Sequence, residues 1–283
     1  MGEPGSSINI TNTAGATINT SVACILGPFR DAQFPNYPVD TATELYLYNV
    51  NITYNGNHLG FAVGFYGCYN LYNCHSTINT RGNIHVYRDC SKLVNCTAIG
   101  RSTNGGCLGY GYCTDLANCS ADSTGNSYVY NTEDAAGFWA CWQLSNCRAK
   151  SFGISARGFN SCRLLSNWHA VAEVNPSAIV ADSFAYGFAD CHCLSTCRGQ
   201  GTIDRNLYSA GFLNCSRLFG CVGVPTARTN NTNYLFSFKE CRTGFGNRSE
   251  SPGAAPFSLC YMHHISDLNP WANTAAGGYN YNL

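Results

Sequence analysis

The chain has 283 residues, and its 16 basic and 16 acidic side chains give a formal net charge of zero at neutral pH. Charged residues make up only 11% of it, less than half of the roughly 25% usual in globular domains, so neither nucleic acid nor an anionic membrane surface is an expected partner. Apolar residues at 45% exclude a disordered chain, and no apolar run reaches the ~18 residues of a membrane span, so no membrane insertion is expected.

The first predicted unit is residues 1–60, which carry no repeat. Prolines at three positions, Pro28, Pro35 and Pro38, indicate a loop. The following run, residues 43–54, is rich in β-branched and aromatic residues that partly alternate with polar ones, and Asn55-Gly56 after it is a turn signal. We predict that this unit is a β-rich cap or connector, because the end coil of a repeat array exposes core and strand edges.

The second unit, residues 61–244, repeats one motif of the form G-F-x-x-C-x-x-L-x-x-C. Its clearest instance is residues 64–74, and seven near-complete copies are followed by a decayed eighth at residues 238–244. The leading aromatic residues recur every 21 to 29 residues: Phe65, Tyr87, Tyr110, Phe138, Phe159, Phe188, Phe212 and Phe238. A period of this length that varies between copies is typical of a solenoid, in which each coil buries its apolar face against its neighbours.

Cysteine usage follows the repeat. Of the 18 cysteines, 14 occupy the two cysteine positions of the motif. Because cysteine is small, apolar and often fully buried, we predict that the aromatic, cysteine and leucine positions form columns in one shared core, a cysteine ladder among them. Stacked coils bring equivalent cysteines within disulfide range, but parallel stacking does not favour the required torsion, so we expect mostly free thiols.

Asparagine precedes the last core position in five consecutive copies: Asn73, Asn95, Asn118, Asn146 and Asn167. Stacked amides can hydrogen-bond along the axis as a ladder, and asparagine tolerates the backbone angles of tight corners. Short apolar runs at residues 128–130 and 178–180 suit strands, and no long pattern of helical periodicity lies between the copies.

These features predict an all-β fold, a right-handed parallel β-helix (β-solenoid) of about eight coils with N- and C-terminal caps. The alternative is a leucine-rich-repeat-like solenoid, one class of which carries a similar aromatic, cysteine and leucine core. The missing L-x-x-L-x-L strand signature counts against that alternative.

The third unit, residues 245–283, leaves the pattern again. Residues 251–256 read as a loop, and residues 273–283 are too rich in glycine for a helix. The flanks of the coils are low in charge and rich in tyrosine, tryptophan and asparagine, which indicates a surface that is covered in an assembly. We therefore predict a homotrimer whose stability depends on residues 265–283 as an oligomerisation tail.

The run of G-F-x-x-C-x-x-L-x-N-C copies, clearest at residues 64–74, resembles repeats in tail-fibre and tail-spike proteins of phages and prophages from Gram-positive gut bacteria. The resemblance covers residues 61–244 and rests on repeat spacing and residue choice. It implies an elongated trimeric module of a virion tail, made in a bacterial cytoplasm and extracellular when functional, that binds a surface glycan or protein of the host. It carries over no catalytic residue and no cofactor.

Two other functions stay open, a β-helix polysaccharide depolymerase and a bacterial repeat adhesin. Glycoside hydrolysis needs two carboxylates at a defined separation. Three acidic residues, Asp89, Asp190 and Glu240, share the repeat position before the first cysteine. At ~4.8 Å per coil, Asp89 and Asp190 would lie about 19 Å apart, too far to cooperate. We expect no catalytic pair.

Metal ligands are the other chemistry to consider. The densest cluster is Cys191-His192-Cys193, but Cys191 is already a core position. The adjacent pair His263-His264 could chelate a metal across a trimer axis, although such a pair is typical of polar surface. We predict no metal site, because structural zinc sites show paired C-x2–4-C spacings that are missing here.

The candidate receptor or glycan surface consists of two outer stripes, formed by the residue after each leading aromatic and the residue after each first cysteine. Its members are Tyr66, Tyr69, Arg88, Trp139, Trp142, Arg163, His192, Lys239 and Arg242. Exposed aromatic faces are natural platforms for sugar rings. The alternative is that these side chains pack against loops or a neighbouring subunit.

Overall fold

The structure, a computed structural model, describes residues 46–57, 59–126, 135–175, 183–203, 208–227, 235–250, 255–258 and 260, with the backbone alone for 8–12, 22–26 and 255–257. Every regular element in these ranges is a β-strand, and no helix in them is long and apolar enough to cross a membrane. The predictions for residues 128–130, 178–180, 263–264 and 265–283 lie outside the described residues.

The strands form three parallel sheets, which we call faces A, B and C. Face A contains Ile8–Asn12, Val50–Asn55, His75–Thr80, Thr97–Ser102, Ser120–Gly125, Arg148–Gly153, His169–Val174, Arg198–Ile203, Val222–Gly223, Thr226–Ala227 and Arg248–Ser249. Face B contains Val22–Leu26, Phe61–Tyr66, Asn83–Arg88, Cys107–Gly111, Ala135–Trp139, Ser155–Asn160, Phe184–Ala189, Tyr208–Leu213, Leu235–Lys239 and Ala255–Ser258. Face C contains Leu47–Tyr48, Tyr69–Tyr72, Ser91–Val94, Thr114–Ala117, Trp142–Ser145, Arg163–Ser166, His192–Ser195, Ser216–Phe219 and Arg242–Phe245.

The chain passes from face B to face C to face A in each coil, and each strand pairs with its equivalents one coil before and after. This architecture confirms the predicted parallel β-helix and excludes the leucine-rich-repeat alternative. About seven coils are present, slightly fewer than the eight expected. We number the coils by the eight leading aromatic residues, from coil 1 at Phe65 to coil 8 at Phe238. Coil 8 is not counted as a full coil, because its face A strand shortens to Arg248–Ser249.

The sheets continue beyond the cysteine-containing motif at both ends. Leu47 pairs with Leu71, and the Asn73 amide donates a hydrogen bond to the side-chain oxygen of Asn49 at 3.3 Å. At the other end, the Cys260 thiol is buried and donates to the carbonyl of Phe238 at 3.3 Å. Partial copies without the full motif therefore extend the stack at both ends.

The core is built from the predicted columns. The leading rings stack face to face along the axis, with centroids 4.7–4.9 Å apart and interplanar angles of 3–12°. The leucines and the cysteines of the motif are at most 2% exposed. Burying a ring of this size contributes about 1.5–3 kcal/mol, so the stacked rings supply much of the stability. The 17 cysteines whose side chains the structure describes are all free thiols.

The repeated asparagines lie at positions where the backbone is left-handed. In coil 2, Asp89, Lys92 and Asn95 have φ of 52°, 54° and 56°, and the equivalent positions of the other coils also have positive φ. Asparagine adopts this left-handed region more readily than most residues. The Asn95 amide also donates to the side-chain oxygen of Asn73 at 3.2 Å, as a ladder requires.

Length variation is confined to one corner. The leading aromatic and the last core position are nine residues apart in every copy, so the B–C and C–A corners never change length. All insertions lie between a face A strand and the next face B strand. Face C and its two corners are therefore free of inserted loops, whereas the A–B corner carries the segments that differ between coils.

Candidate functional site

A break in the side-chain alternation before each core aromatic turns aromatic side chains outward on face B. The strand pairing matches Tyr186 with Ala210 and Phe188 with Phe212 but skips the glycine between them. A Cβ on Gly187 would lie 2.7 Å from the backbone nitrogen of Gln200 on face A. Because Gly187 and Phe188 are both buried, the alternation shifts by one residue at Gly187, and Tyr186 faces outward although it is two positions before a buried ring.

This shift assembles a surface that we call the aromatic row, which follows the outer side of face B along the axis. Its rings are Phe61, Tyr66, Trp139, Phe184, Tyr186, Tyr208 and Phe236. They are half-buried, except that Tyr208 is 42% exposed and Tyr66 is only 7% exposed. Three cations pack on these rings, and each forms the centre of one cluster.

The first cluster surrounds Arg88 in coil 2. The Arg88 guanidinium carbon lies 5.4 Å from the ring centroid of Phe61 and 5.7 Å from that of Tyr66. Its Nε also lies 3.2 Å from a carboxylate oxygen of Asp89 at the corner. The cluster therefore combines two rings, a guanidinium donor and a carboxylate acceptor.

The second cluster surrounds Arg157 in coil 5. The Arg157 guanidinium carbon lies 4.4 Å from the Phe184 centroid and 5.8 Å from that of Trp139. Phe184 stacks on Tyr186 with centroids 4.7 Å apart. Burial raises the pKa of Tyr186 to about 12 despite the nearby charge of Arg157. The phenol hydroxyl thus stays protonated at neutral pH and can donate a hydrogen bond.

The third cluster surrounds Lys239 in coil 8. Its Nζ lies 5.0 Å from the Tyr208 centroid, 5.5 Å from the Phe236 centroid and 3.6 Å from a carboxylate oxygen of Glu240. The three cations are three coils apart, which corresponds to about 14 Å between neighbouring clusters at ~4.8 Å per coil. Rings, donors and acceptors spaced along one side of a rigid rod can hold an extended polyhydroxylated chain.

The second predicted stripe lies on face C, across the B–C corner from the aromatic row. Trp142 is 49% exposed, and the Arg163 guanidinium carbon lies 5.4 Å from its ring centroid. The His192 ring forms a 2.5 Å hydrogen bond with the Ser216 hydroxyl. Tyr69 is half-buried and Arg242 is exposed on the same face.

The structure thus brings together only part of the predicted surface. Tyr66, Arg88, Trp139 and Lys239 belong to the aromatic row, while the members on face C point to a different side of the rod. The expectation that Tyr66 is exposed is wrong, because the residue is only 7% exposed and Arg88 packs over its ring. Sequence reasoning missed six members of the row, namely Phe61, Arg157, Phe184, Tyr186, Tyr208 and Phe236.

The carboxylates at the B–C corner are held by polar neighbours. Asp190 accepts a 2.7 Å hydrogen bond from the Asn214 amide, and Glu240 lies beside Lys239. With two rungs of 4.9 Å between the rings of their coils, Asp190 and Glu240 lie about 10 Å apart at equivalent atoms, slightly beyond the separation typical of inverting glycosidases. Both carboxylates are exposed acceptors suited to binding hydroxyl groups.

The described residues contain no group of three or more His, Cys, Asp or Glu side chains placed to hold a metal ion. Cys191 is 1% exposed in the core, whereas His192 and Cys193 are half-buried on face C. The side chain of Cys191 therefore lies in the core, while those of His192 and Cys193 lie at the surface of face C.

The sequence matches no family profile and no curated protein sequence. Among solved structures, the chain is similar to the Streptococcus pneumoniae surface protein and adhesin PfbA, with 9% identity over 91% of this chain and 83% of that chain and a TM-score of 0.34. It is also similar to the pectate lyase Pel9A, with 14% identity over 98% of this chain and 72% of that chain and a TM-score of 0.27. At these TM-scores neither likeness indicates a function.

Proposed function

We propose that the protein is a non-enzymatic receptor-binding module of a phage-like tail fibre, which attaches to a glycan or protein on a bacterial surface. The observation that carries the proposal is the aromatic row with its three cation-centred clusters. Half-exposed rings beside paired donors and acceptors offer stacking faces and hydrogen bonds to sugars. The repeat resemblance supports the tail fibre and the extracellular site of action.

The exposure of the carboxylates at the B–C corner favours binding over cleavage. A glycosidase needs one carboxylic acid that is protonated at working pH, and such an acid is normally produced by burial. Asp190 and Glu240 are instead exposed, so neither is buried as such an acid would be. A bacterial repeat adhesin would use the same row, and only the gene's neighbourhood would separate it from a tail fibre.

The experiment measures retention of the protein on surface polysaccharides and wall fragments of Gram-positive gut bacteria, together with release of new reducing ends. We expect saturable binding and no new reducing ends. Tyr208→Ala should weaken binding about five- to tenfold, because a stacked ring contributes roughly 1 kcal/mol. Phe152→Ala, which removes a half-buried ring from face A, is the matched control and should leave binding unchanged.

Three outcomes would count against the proposal. Release of reducing ends would identify a depolymerase. If Tyr208→Ala and Phe152→Ala weaken binding to a surface fraction equally, the aromatic row is not part of the contact. If the protein is retained on no surface fraction, the receptor-binding function is contradicted.

A further inference from the structure

A row of cationic side chains follows the outer side of face A, directly after the C–A corner. Arg148 pairs in register with His169, and His169 pairs with Arg198, so the three occupy the same outward position in coils 4, 5 and 6. Arg148 and His169 are exposed and Arg198 is half-buried. Neighbouring strands lie about 4.8 Å apart, so His169 stands one rung from each arginine.

The charges around this row are mostly of one sign. Lys150 follows Arg148 by two residues and faces the same way on its strand. On the C-terminal side, Glu250 forms ion pairs with Arg198 and with Arg248, the latter at 2.7 Å. In the part of the chain that the structure describes, the side chains of Arg148, Lys150 and His169 have no ion pair or hydrogen bond.

Like charges directly opposite each other on paired strands destabilise a sheet. The pKa of His169 is lowered, first by partial burial and then by the charges of Arg198 and Arg148. The groups that face His169 are Arg148 and Lys150 on one neighbouring strand, Arg198 on the other, and Glu173 further along its own strand. An anion above His169 would therefore remove a repulsion that the protein alone leaves in place.

We propose that Arg148, Lys150, His169 and Arg198 form a binding site for the phosphate groups of an anionic polymer. The inference does not depend on the aromatic row, which lies on another face. Arg148 and Lys150 present unpaired donors beside His169, and Arg198, although it pairs with Glu250, adds a further cation on the next strand. Arginine matches the geometry of phosphate oxygens with paired hydrogen bonds. Phosphate fits better than carboxylate, because it offers acceptor oxygens in three directions rather than two in one plane.

Calorimetric titration with inorganic phosphate, inorganic polyphosphate and a polyuronate tests the site and separates free from polymeric phosphate. We expect polyphosphate to bind more tightly than phosphate, and the affinity to fall linearly with salt on a logarithmic scale. Arg148→Gln should weaken polyphosphate binding about tenfold. Arg101→Gln is the matched control, because Arg101 lies on the same face and is already paired with Asp122 at 2.6 Å.

A second readout distinguishes a specific site from general attraction. Bound phosphate should raise the pKa of His169, seen in the NMR titration of its ring protons, and binding should be stronger at pH 5.5 than at pH 7.5. The variant His169→Gln should fold with an unchanged melting temperature and lose this pH dependence.

Absence of saturable binding to phosphate or polyphosphate would overturn the proposal. Equal weakening by Arg148→Gln and Arg101→Gln would overturn it as well, because the contact would then be nonspecific. Preference for the polyuronate over polyphosphate would overturn the assignment to phosphate groups.

Discussion

Each thiol of the first cysteine column makes the same two contacts. From coil 2 to Cys260, the sulfur lies 3.3–3.7 Å from the carbonyl oxygen of the leading aromatic in the preceding coil and also within hydrogen-bond distance of the carbonyl two residues earlier in its own corner, so its single proton is available to either acceptor. Cysteine thus fills an apolar column and satisfies polar backbone at a corner with one small side chain. Burial raises the pKa of Cys141 well above its ordinary value, so its thiol stays protonated.

Substitutions of Cys141 test whether this column is a dry core. Cys141 is 0% exposed, so Cys141→Asp should unfold the region because the buried charge has no partner. Cys141→Ala should cost only about 1–2 kcal/mol, since it leaves a small cavity. Circular dichroism during thermal unfolding measures both changes.

Cys193 provides the matched control, because it is half-buried on face C at φ 58°, where aspartate is tolerated, and Arg217 lies nearby. Cys193→Asp should therefore leave the melting temperature nearly unchanged. Equal and negligible effects of Asp at Cys141 and Cys193 would contradict a core role for Cys141.

At the scale of the strand, the residue before each core aromatic, a glycine in six of the eight copies, sets which side chains face outward. The columns of the core were predictable, because the spacing of aromatic, cysteine and leucine residues survives in the seven near-complete copies. The aromatic row was not, because regular alternation along Phe184–Ala189 would place Phe184 and Tyr186 on the same inner side as Phe188. Only the close approach of Gly187 to face A, a contact between segments distant in sequence, reverses their direction.

A substitution of Gly137 tests whether the close approach of faces A and B requires glycine before the core aromatic. A Cβ there would lie 2.6 Å from the Cβ of Ala149 on face A and 2.8 Å from the Gly158 carbonyl oxygen in the next coil. Gly137→Ala should therefore destabilise the protein by about 1–3 kcal/mol through overpacking. In coil 2 the same position holds Val86, and the neighbouring residue on face A is Gly100. A Cβ added to Gly100 would lie 3.2 Å from Cγ2 of Val86.

Gly111→Ala is the control for this prediction, because the nearest atoms to its new methyl group are side-chain atoms of His85 and Leu108 at 3.3 Å or more. It should change the unfolding midpoint by much less than Gly137→Ala. If the two variants unfold at the same temperature, the glycine is not required by the close approach of faces A and B.

At the scale of the whole molecule, face C has the properties of a surface between subunits. It has no inserted loops, and several of its large apolar side chains are exposed, among them Trp142 at 49%, Leu164 at 51%, Phe219 at 55% and Phe245 at 55%. Exposed apolar side chains grouped on one flat face favour association. We propose that this face is covered in a homotrimer.

Light scattering tests the trimer. The full chain should have about three times the 30.6 kDa mass of one subunit at micromolar concentration, because threefold closure would hide all three copies of face C. A chain ending at His264 should dissociate, and Phe219→Asp should dissociate the trimer without lowering the content of β-structure. A full-length chain that runs as a monomer would contradict the trimer and weaken the tail-fibre proposal.

The uniform rise between stacked rings also fixes the distances between equivalent surface positions along the axis. Because each coil touches only its two neighbours and every rung is 4.7–4.9 Å, removal of one whole coil would shorten the rod by one rung and rejoin equivalent surfaces. The distance between clusters of the aromatic row is therefore counted in whole coils. Lineages that gain or lose a coil between Arg88 and Arg157 would change the spacing that a bound polymer must match, while every contact within each cluster stays the same.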